Sequence, residues 1–122
     1  MGVNSMSKTA SQICFDAADL IEKHGWIRGA LQGPRGALCI HGAMNKAAYG
    51  NARGSSRDAR YSPAPSIAVD AVFELTRPFY ISEYNDDIAK DRRYVTRKLR
   101  RAGRNLEAVE LTAKADSQVP GR

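Results

Sequence analysis

Apolar side chains recur at helical spacing near the start of the chain and predict a well-defined helix over residues 9–23. They stand three or four positions apart, at Ala10, Ile13, Cys14, Ala17, Leu20 and Ile21. Ser7 or Thr9 can cap the N-terminus of this helix, and Gly25 can end it in a left-handed conformation. The spacing therefore predicts an amphipathic helix that packs its apolar side against a core.

Glycine, proline and short apolar runs alternate in the middle of the chain. The turn-forming sequence Gln32-Gly33-Pro34-Arg35 separates two short apolar arms. This pattern predicts a β-hairpin with residues 26–31 and 37–40 as its strands. Small residues predict a short helix over residues 42–49, and a run rich in Gly, Ser, Arg and Pro predicts a mobile loop over residues 50–65.

Two further helices are predicted in the second half of the chain. An apolar repeat indicates a helix over residues 66–77, which Pro78 stops. A short extended stretch is expected next, over residues 79–84. The polar run Asn85-Asp86-Asp87 is interpreted as the cap of a final helix, near residues 88–102.

Together these elements predict a mainly α fold with a short β-hairpin, an α+β class, built as a compact single domain of four helices. The length of 122 residues is usual for one domain. Residues 1–8 are expected to be disordered. Residues 9–104 should form the helical domain, with its hairpin near residues 26–40, and residues 105–122 a C-terminal extension or tail.

Positive charge is concentrated on the final helix. The chain has a net charge of +6 at neutral pH, and residues 90–104 hold eight basic residues against one acid, so this element alone exceeds the net charge of the whole chain. At about 100° per residue, the apolar residues Val95, Leu99 and Ala102 share one side of the helix with Ile88. The opposite side is predicted to present basic residues to an anionic partner: Lys90, Arg93, Arg97, Arg100, Arg101 and Arg104.

Three short motifs make the chain resemble a family of small uncharacterised domains from actinobacteria and their phages. The family's H-G-W motif is His24-Gly25-Trp26 here, and its C-x-x-G-A motif is Cys39 followed by Gly42-Ala43. The third motif, W-N-D, reads Tyr84-Asn85-Asp86, so tyrosine replaces the family's tryptophan. The resemblance covers residues 10–102. It implies the order of the elements and an actinobacterial or phage origin, and it supplies no activity.

Cysteine and histidine offer an alternative, a small enzyme or a zinc protein that uses Cys39 and His41. Zinc ligands usually come in close pairs, and of the chain's cysteines and histidines, which also include Cys14 and His24, only these two are close in sequence. Cys39 lies between apolar residues, which make a thiol unreactive. We therefore predict no catalytic residue, no metal and no cofactor. Both cysteines are expected to be reduced and buried, with a disulfide between them as the less favoured alternative.

The basic helix favours a non-enzymatic accessory domain that binds a host macromolecule. The first predicted partner is a host protein with an acidic surface, because charge complementarity orients and accelerates such association. The alternatives are a nucleic acid, held non-specifically through its backbone phosphates, and self-assembly of the chain. The loop over residues 53–60 is a second candidate contact.

The apolar runs of the chain also bear on its location. None is long enough to span a membrane, and the N-terminus lacks the apolar stretch of a secretory signal. We therefore expect no membrane partner and a cytoplasmic location, which for a phage protein is the bacterial host cytoplasm.

Overall fold

The computed structural model describes residues 8–54 and 62–117, which form five α-helices joined by irregular segments. The helices are α1 (Ala10–His24), α2 (Ile40–Tyr49), α3 (Ala64–Thr76), the short α4 (Ile81–Glu83) and α5 (Arg92–Ser117). One turn of π-helix, Tyr84–Ile88, follows α4 directly, and we call it the π-turn. The mainly helical part of the predicted fold class is confirmed, whereas the predicted number of four helices is wrong.

The remaining residues, 1–7, 55–61 and 118–122, lie outside this description. Seven of the eight residues expected to be disordered, and seven of the sixteen in the mobile loop expected over residues 50–65, therefore lie outside the described residues. The last two residues of that expected loop belong to α3. The division into a domain and a C-terminal extension stays a prediction. Within the described ranges, none of the helices combines the length and the apolar character that crossing a membrane requires.

Helices α1 and α5 form an antiparallel pair. Near the start of α1 the N–H of Ser11 donates to Glu110 at 3.1 Å, and near its end Asp19 accepts from Arg100 at 3.2 Å. Residue numbers thus rise along one helix as they fall along the other. The cap predicted at Thr9 is confirmed, since its hydroxyl accepts the N–H of a residue in the first turn of α1.

The core lies between α1, α2, α3 and α5, with Leu38 and Tyr84 added from the segments between helices. Its buried helical residues include Ile13, Cys14, Ala17 and Ile21 of α1, Ile40, Ala43 and Met44 of α2, Ala68 and Val72 of α3, and Val95, Leu99 and Ala102 of α5. The helical spacing therefore predicted the buried side of α1 and most of that of α5. Ile88 is 38% exposed, because it belongs to the π-turn and not to α5.

The β-hairpin predicted near residues 26–40 is wrong, because the described residues contain no strand or sheet. Leu38 makes two isolated bridges, a parallel one with Trp26 and an antiparallel one with Gln32, whereas a hairpin requires continuous antiparallel pairing. Gly29 and Gly36 have φ angles of 77° and 87°, which let the backbone change direction twice within this segment. We refer to residues 25–39 as the irregular segment.

The helix cap predicted at Asn85-Asp86-Asp87 is also wrong. These residues lie in the π-turn, where the N–H of Ala89 donates to the carbonyl of Tyr84 at 2.8 Å, five residues back. The last helix begins only at Arg92, so none of these three residues is next to its first residue. Part of the stretch expected to be extended, residues 79–84, is occupied by α4.

The last helix begins later and continues further than predicted. Asp91 caps α5, its carboxylate accepting the N–H of Arg93 at 2.8 Å, so Lys90 precedes the helix. Gly103 does not interrupt α5, which runs to Ser117. This glycine is buried, and its missing side chain leaves room for a close approach of α1.

Gly42 of α2 tests how tightly the irregular segment packs on the helices. A Cβ atom at Gly42 would overlap the backbone carbonyl of Leu31, whereas one at Gly103 would meet the ring of Phe15 at 2.8 Å. A ring can turn aside more easily than a backbone that other contacts hold. We expect Gly42→Ala to lower the free energy of unfolding by about 2 kcal/mol or more.

Gly103→Ala is the matched control. Its loss should be smaller, because alanine regains up to about 1 kcal/mol of helix propensity. Denaturant unfolding followed by circular dichroism measures both values. Equal losses for the two variants would contradict the close packing of Leu31 on α2.

Candidate functional site

Asn85 of the π-turn is a buried polar side chain, 1% exposed, and its carboxamide connects separate parts of the chain. Its Oδ1 accepts the indole N–H of Trp26 at 2.8 Å and the backbone N–H of Ile40, the first residue of α2, at 3.0 Å. Its Nδ2 donates to the carbonyl of Ile27 at 3.0 Å and to Asp86 at 2.8 Å. All four hydrogen-bonding positions of the amide are therefore used.

Asp86 and Arg28 extend this network towards the surface. Oδ1 of Asp86 also accepts the N–H of Gly29, at 2.9 Å. The guanidinium of Arg28 lies 4.4 Å from the ring centre of Trp26 and donates to the carbonyl of Ala89 at 2.8 Å. We call these contacts, with those of the amide, the Asn85 network. Through these contacts Asn85, Asp86 and Ala89 hold the irregular segment in place, although it has no regular secondary structure.

The three sequence motifs meet at or beside this network. His24-Gly25-Trp26 ends α1 and supplies the indole, and Tyr84-Asn85-Asp86 supplies the amide and the carboxylate. Cys39 caps α2, its sulfur accepting the N–H of Gly42 at 3.3 Å, and Ala43 is buried in the core. The polar atoms of Asn85 are bonded to protein groups, so this network holds the fold and is not free for a ligand.

Sequence reasoning identified Asn85 but missed its role. The signal was indirect, because a partly buried tryptophan usually needs an acceptor for its indole N–H. Trp26 and Asn85 stood in separate motifs, and nothing in the sequence indicated that the two side chains meet.

The basic residues of α5 divide into two groups on the helix surface. On the side towards α1, Arg100 forms ion pairs with Asp19 at 3.2 Å and with Glu22 at 3.1 Å. On another side, three basic residues are exposed and have no ion pair with any residue in the ranges 8–54 and 62–117. These residues are Arg97, Arg101 and Arg104.

The two other predicted contact residues lie near the start of α5. Arg93 is exposed and pairs with Asp91 at 3.2 Å. This hydrogen-bonded pairing lowers the pKa of the Asp91 carboxyl. Lys90 is exposed just before the helix. The structure therefore keeps three of the six predicted residues together on one side of α5, places two near the start of the helix, and turns Arg100 towards α1.

The exposed arginines continue into apolar residues along the same side of the helix. We call this set the α5 stripe: Arg97, Arg101, Arg104, Ala108 and Leu111. Successive members stand four or three positions apart, so they share one side, and Leu111 is 62% exposed. From its first to its last residue the stripe is about 21 Å long, at 1.5 Å per residue.

The predicted burial of both cysteines is confirmed, and both thiols are free. Burial and, to a smaller extent, the nearby charge of Glu110 raise the pKa of Cys14 to about 12. Burial also raises the pKa of Cys39 and lowers the pKa of His41. Thiols held in the protonated form are poor nucleophiles and poor metal ligands. In the described part of the chain, no three side chains of His, Cys, Asp and Glu lie close enough to hold a metal ion.

A family assignment follows from a match that covers most of this fold. Residues 6–105 match the model of a family described as Family of unknown function (DUF6197). The chain belongs to this family. No curated protein and no solved structure shows significant similarity to it. The matched region contains the whole Asn85 network and ends just after Arg104, so the apolar end of the α5 stripe lies beyond it.

Asn85→Ala tests the structural role of the network. The substitution leaves the Trp26 indole N–H and the backbone groups of Ile27 and Ile40 without their partner. Because each unsatisfied buried polar group costs about 1–3 kcal/mol, we expect the free energy of unfolding to fall by roughly 3 kcal/mol or more. Asn105→Ala, at an exposed position of α5, should stay within about 0.5 kcal/mol of wild type.

Denaturant unfolding followed by the fluorescence of Trp26, the single tryptophan, measures both variants. Equal stabilities of the two variants would show that the network does not hold the irregular segment.

Proposed function

We propose that the chain is a non-enzymatic binding domain whose α5 stripe docks on an acidic surface of a partner protein. One observation carries this proposal. Three exposed arginines without an ion pair in the described ranges continue directly into exposed apolar residues on the same side of α5.

The charge of the stripe favours an anionic partner. Like charges three or four positions apart on a helix repel one another, so Arg97, Arg101 and Arg104 destabilise α5 slightly while no anion is present. Arg100 shows the opposite arrangement, since two acids of α1 lie within reach of its guanidinium. A carboxylate-rich surface would neutralise the stripe as α1 neutralises Arg100.

The apolar end of the stripe favours a protein over a nucleic acid. Protein interfaces combine an apolar centre with a polar rim and are rich in arginine, whereas a phosphate backbone offers no counterpart for Leu111. Val109, which is 65% exposed, adds apolar surface next to Ala108, on a side of α5 about 140° around the helix from Arg104. It lines a shallow hollow of about 390 Å³ together with Ala108, Thr112 and Ala113.

The same arginines support a second candidate function, non-specific binding of nucleic acid. Guanidinium groups match phosphate geometry. Such binding weakens steeply as the salt concentration rises, because the counterions that binding releases then gain less entropy. The two candidates differ in the contribution of Leu111, which only a protein interface would use.

The proposal extends to the source of the chain. Its resemblance to actinobacterial and phage domains supports such an origin, and therefore a partner met in the bacterial cytoplasm.

The absence of an ionisable thiol near neutral pH supports a non-enzymatic role for the cysteines.

An affinity pull-down from host lysate, with and without nuclease, tests the proposal. Three variants are compared with wild type: the α5 triple variant Arg97→Glu, Arg101→Glu and Arg104→Glu; Leu111→Asp; and a control triple variant, Lys23→Glu, Arg35→Glu and Arg77→Glu. The control makes the same change in net charge at exposed positions outside α5.

We expect a discrete protein that survives nuclease and falls by roughly tenfold or more with the α5 triple variant and with Leu111→Asp, but not with the control. Nuclease-sensitive material whose recovery is unchanged by Leu111→Asp would support the second candidate instead. Equal recovery with the α5 and control variants would overturn both candidates.

A further inference from the structure

A group of donors lies beside the α5 stripe, on the neighbouring side of the helix. Tyr94, Lys98 and Arg101 follow one another at spacings of four and three, so their side chains emerge from successive turns of one side. The ammonium of Lys98 lies 5.5 Å from the ring centre of Tyr84, which belongs to the π-turn. Residues of two elements therefore meet at this point.

The hydroxyl groups of Tyr84 and Tyr94 make no hydrogen bond to a residue in the described ranges. No completely buried side-chain oxygen there lacks a partner, so both hydroxyl oxygens touch solvent, although Tyr84 as a whole is only 5% exposed. Burial and, to a smaller extent, the nearby phenol of Tyr94 raise the pKa of Tyr84. The Tyr84 hydroxyl consequently stays protonated at neutral pH and can donate a hydrogen bond.

Two of the acidic residues near Tyr84 in the chain, Glu83 and Asp86, have other partners, whereas Asp87 is exposed. Glu83 accepts the N–H of Tyr80 at 3.1 Å, and Asp86 accepts from Asn85 and Gly29. In the ranges 8–54 and 62–117, Lys98 has no ion pair with a carboxylate. The cations of this group are therefore not neutralised by those two carboxylates.

We propose that Tyr84, Tyr94, Lys98 and Arg101 form a binding site for a phosphate monoester. The group offers two hydroxyl donors, an ammonium and a guanidinium, which together match the three terminal oxygens and the double negative charge of this ligand. A carboxylate has one charge and two oxygens and would leave donors unused. The Asn85 network supports the site, because it fixes the π-turn that carries Tyr84.

This site goes beyond the proposed function and does not depend on it. It shares only Arg101 with the α5 stripe, and no partner protein is needed to detect it. A phosphorylated side chain and a sugar phosphate present the same chemistry, so the probes below separate these two sources.

The test is an NMR titration of the full chain with inorganic phosphate, phenyl phosphate and ribose 5-phosphate, with acetate as a singly charged control. We expect saturable shifts of the backbone signals around Tyr84, Tyr94 and Lys98 with the phosphate probes, and at least tenfold weaker binding of acetate. Tighter binding of phenyl phosphate would indicate a phosphorylated aromatic side chain as the source, and tighter binding of ribose 5-phosphate a sugar phosphate.

Two variants assign the binding to this site. Lys98→Met removes the ammonium and keeps an unbranched side chain, and the double variant Tyr84→Phe, Tyr94→Phe keeps both rings while removing the hydroxyls. Each should weaken binding of inorganic phosphate by roughly tenfold, because each removes charge-assisted hydrogen bonds. The matched controls Lys23→Met and Tyr49→Phe should bind within about twofold of wild type.

A variant counts as folded when its NMR signals outside the site keep the wild-type pattern. Unchanged phosphate binding in Lys98→Met, or acetate binding as tight as phosphate, would overturn the phosphate site. Neither result would affect the α5 stripe, because the variants leave Arg97, Arg101, Arg104 and Leu111 in place.

Discussion

The side chain of Asn85 holds together stretches of the chain that no regular secondary structure connects. Its amide is satisfied only when Trp26, Ile27, Ile40 and Asp86 are all in place, so these contacts form together or leave buried polar groups without partners. Once they form, the irregular segment is fixed, α2 has its starting point, and the π-turn determines where α5 begins. The surfaces of α5 therefore depend on a hydrogen-bond network made outside that helix.

The position of α5 in turn decides which of its charges are neutralised. The side that faces α1 places Arg100 beside two acids, and further along the same pairing Glu110 accepts hydrogen bonds from Ser11. The remaining sides carry the α5 stripe and the group around Lys98. A helix that is firmly held along one side can present its other charges in a fixed arrangement, which reduces the entropy lost on binding.

The sequence allowed prediction of the parts of the fold that depend on local patterns. The buried side of α1 and the residues Val95, Leu99 and Ala102 of α5 followed from helical spacing, and the concentration of charge on α5 followed from composition. The hairpin was wrong because turn residues fit several backbone paths, and the bond that decides between them joins Ile27 to an amide 58 positions away. The pairing of Arg100 could not be predicted either, since it depends on which sides of two helices face each other.

Hydrogen exchange of the Trp26 indole N–H and the Ile40 backbone N–H, followed by NMR, tests most directly whether Asn85 fixes the irregular segment. Both protons are donated to the same buried oxygen. This role of Asn85 requires both protons to exchange only through global unfolding, with an opening free energy equal to that measured by denaturant. Fast exchange of these two protons while the amides of α1 stay protected would contradict it, because the segment would then open while the helices stay folded.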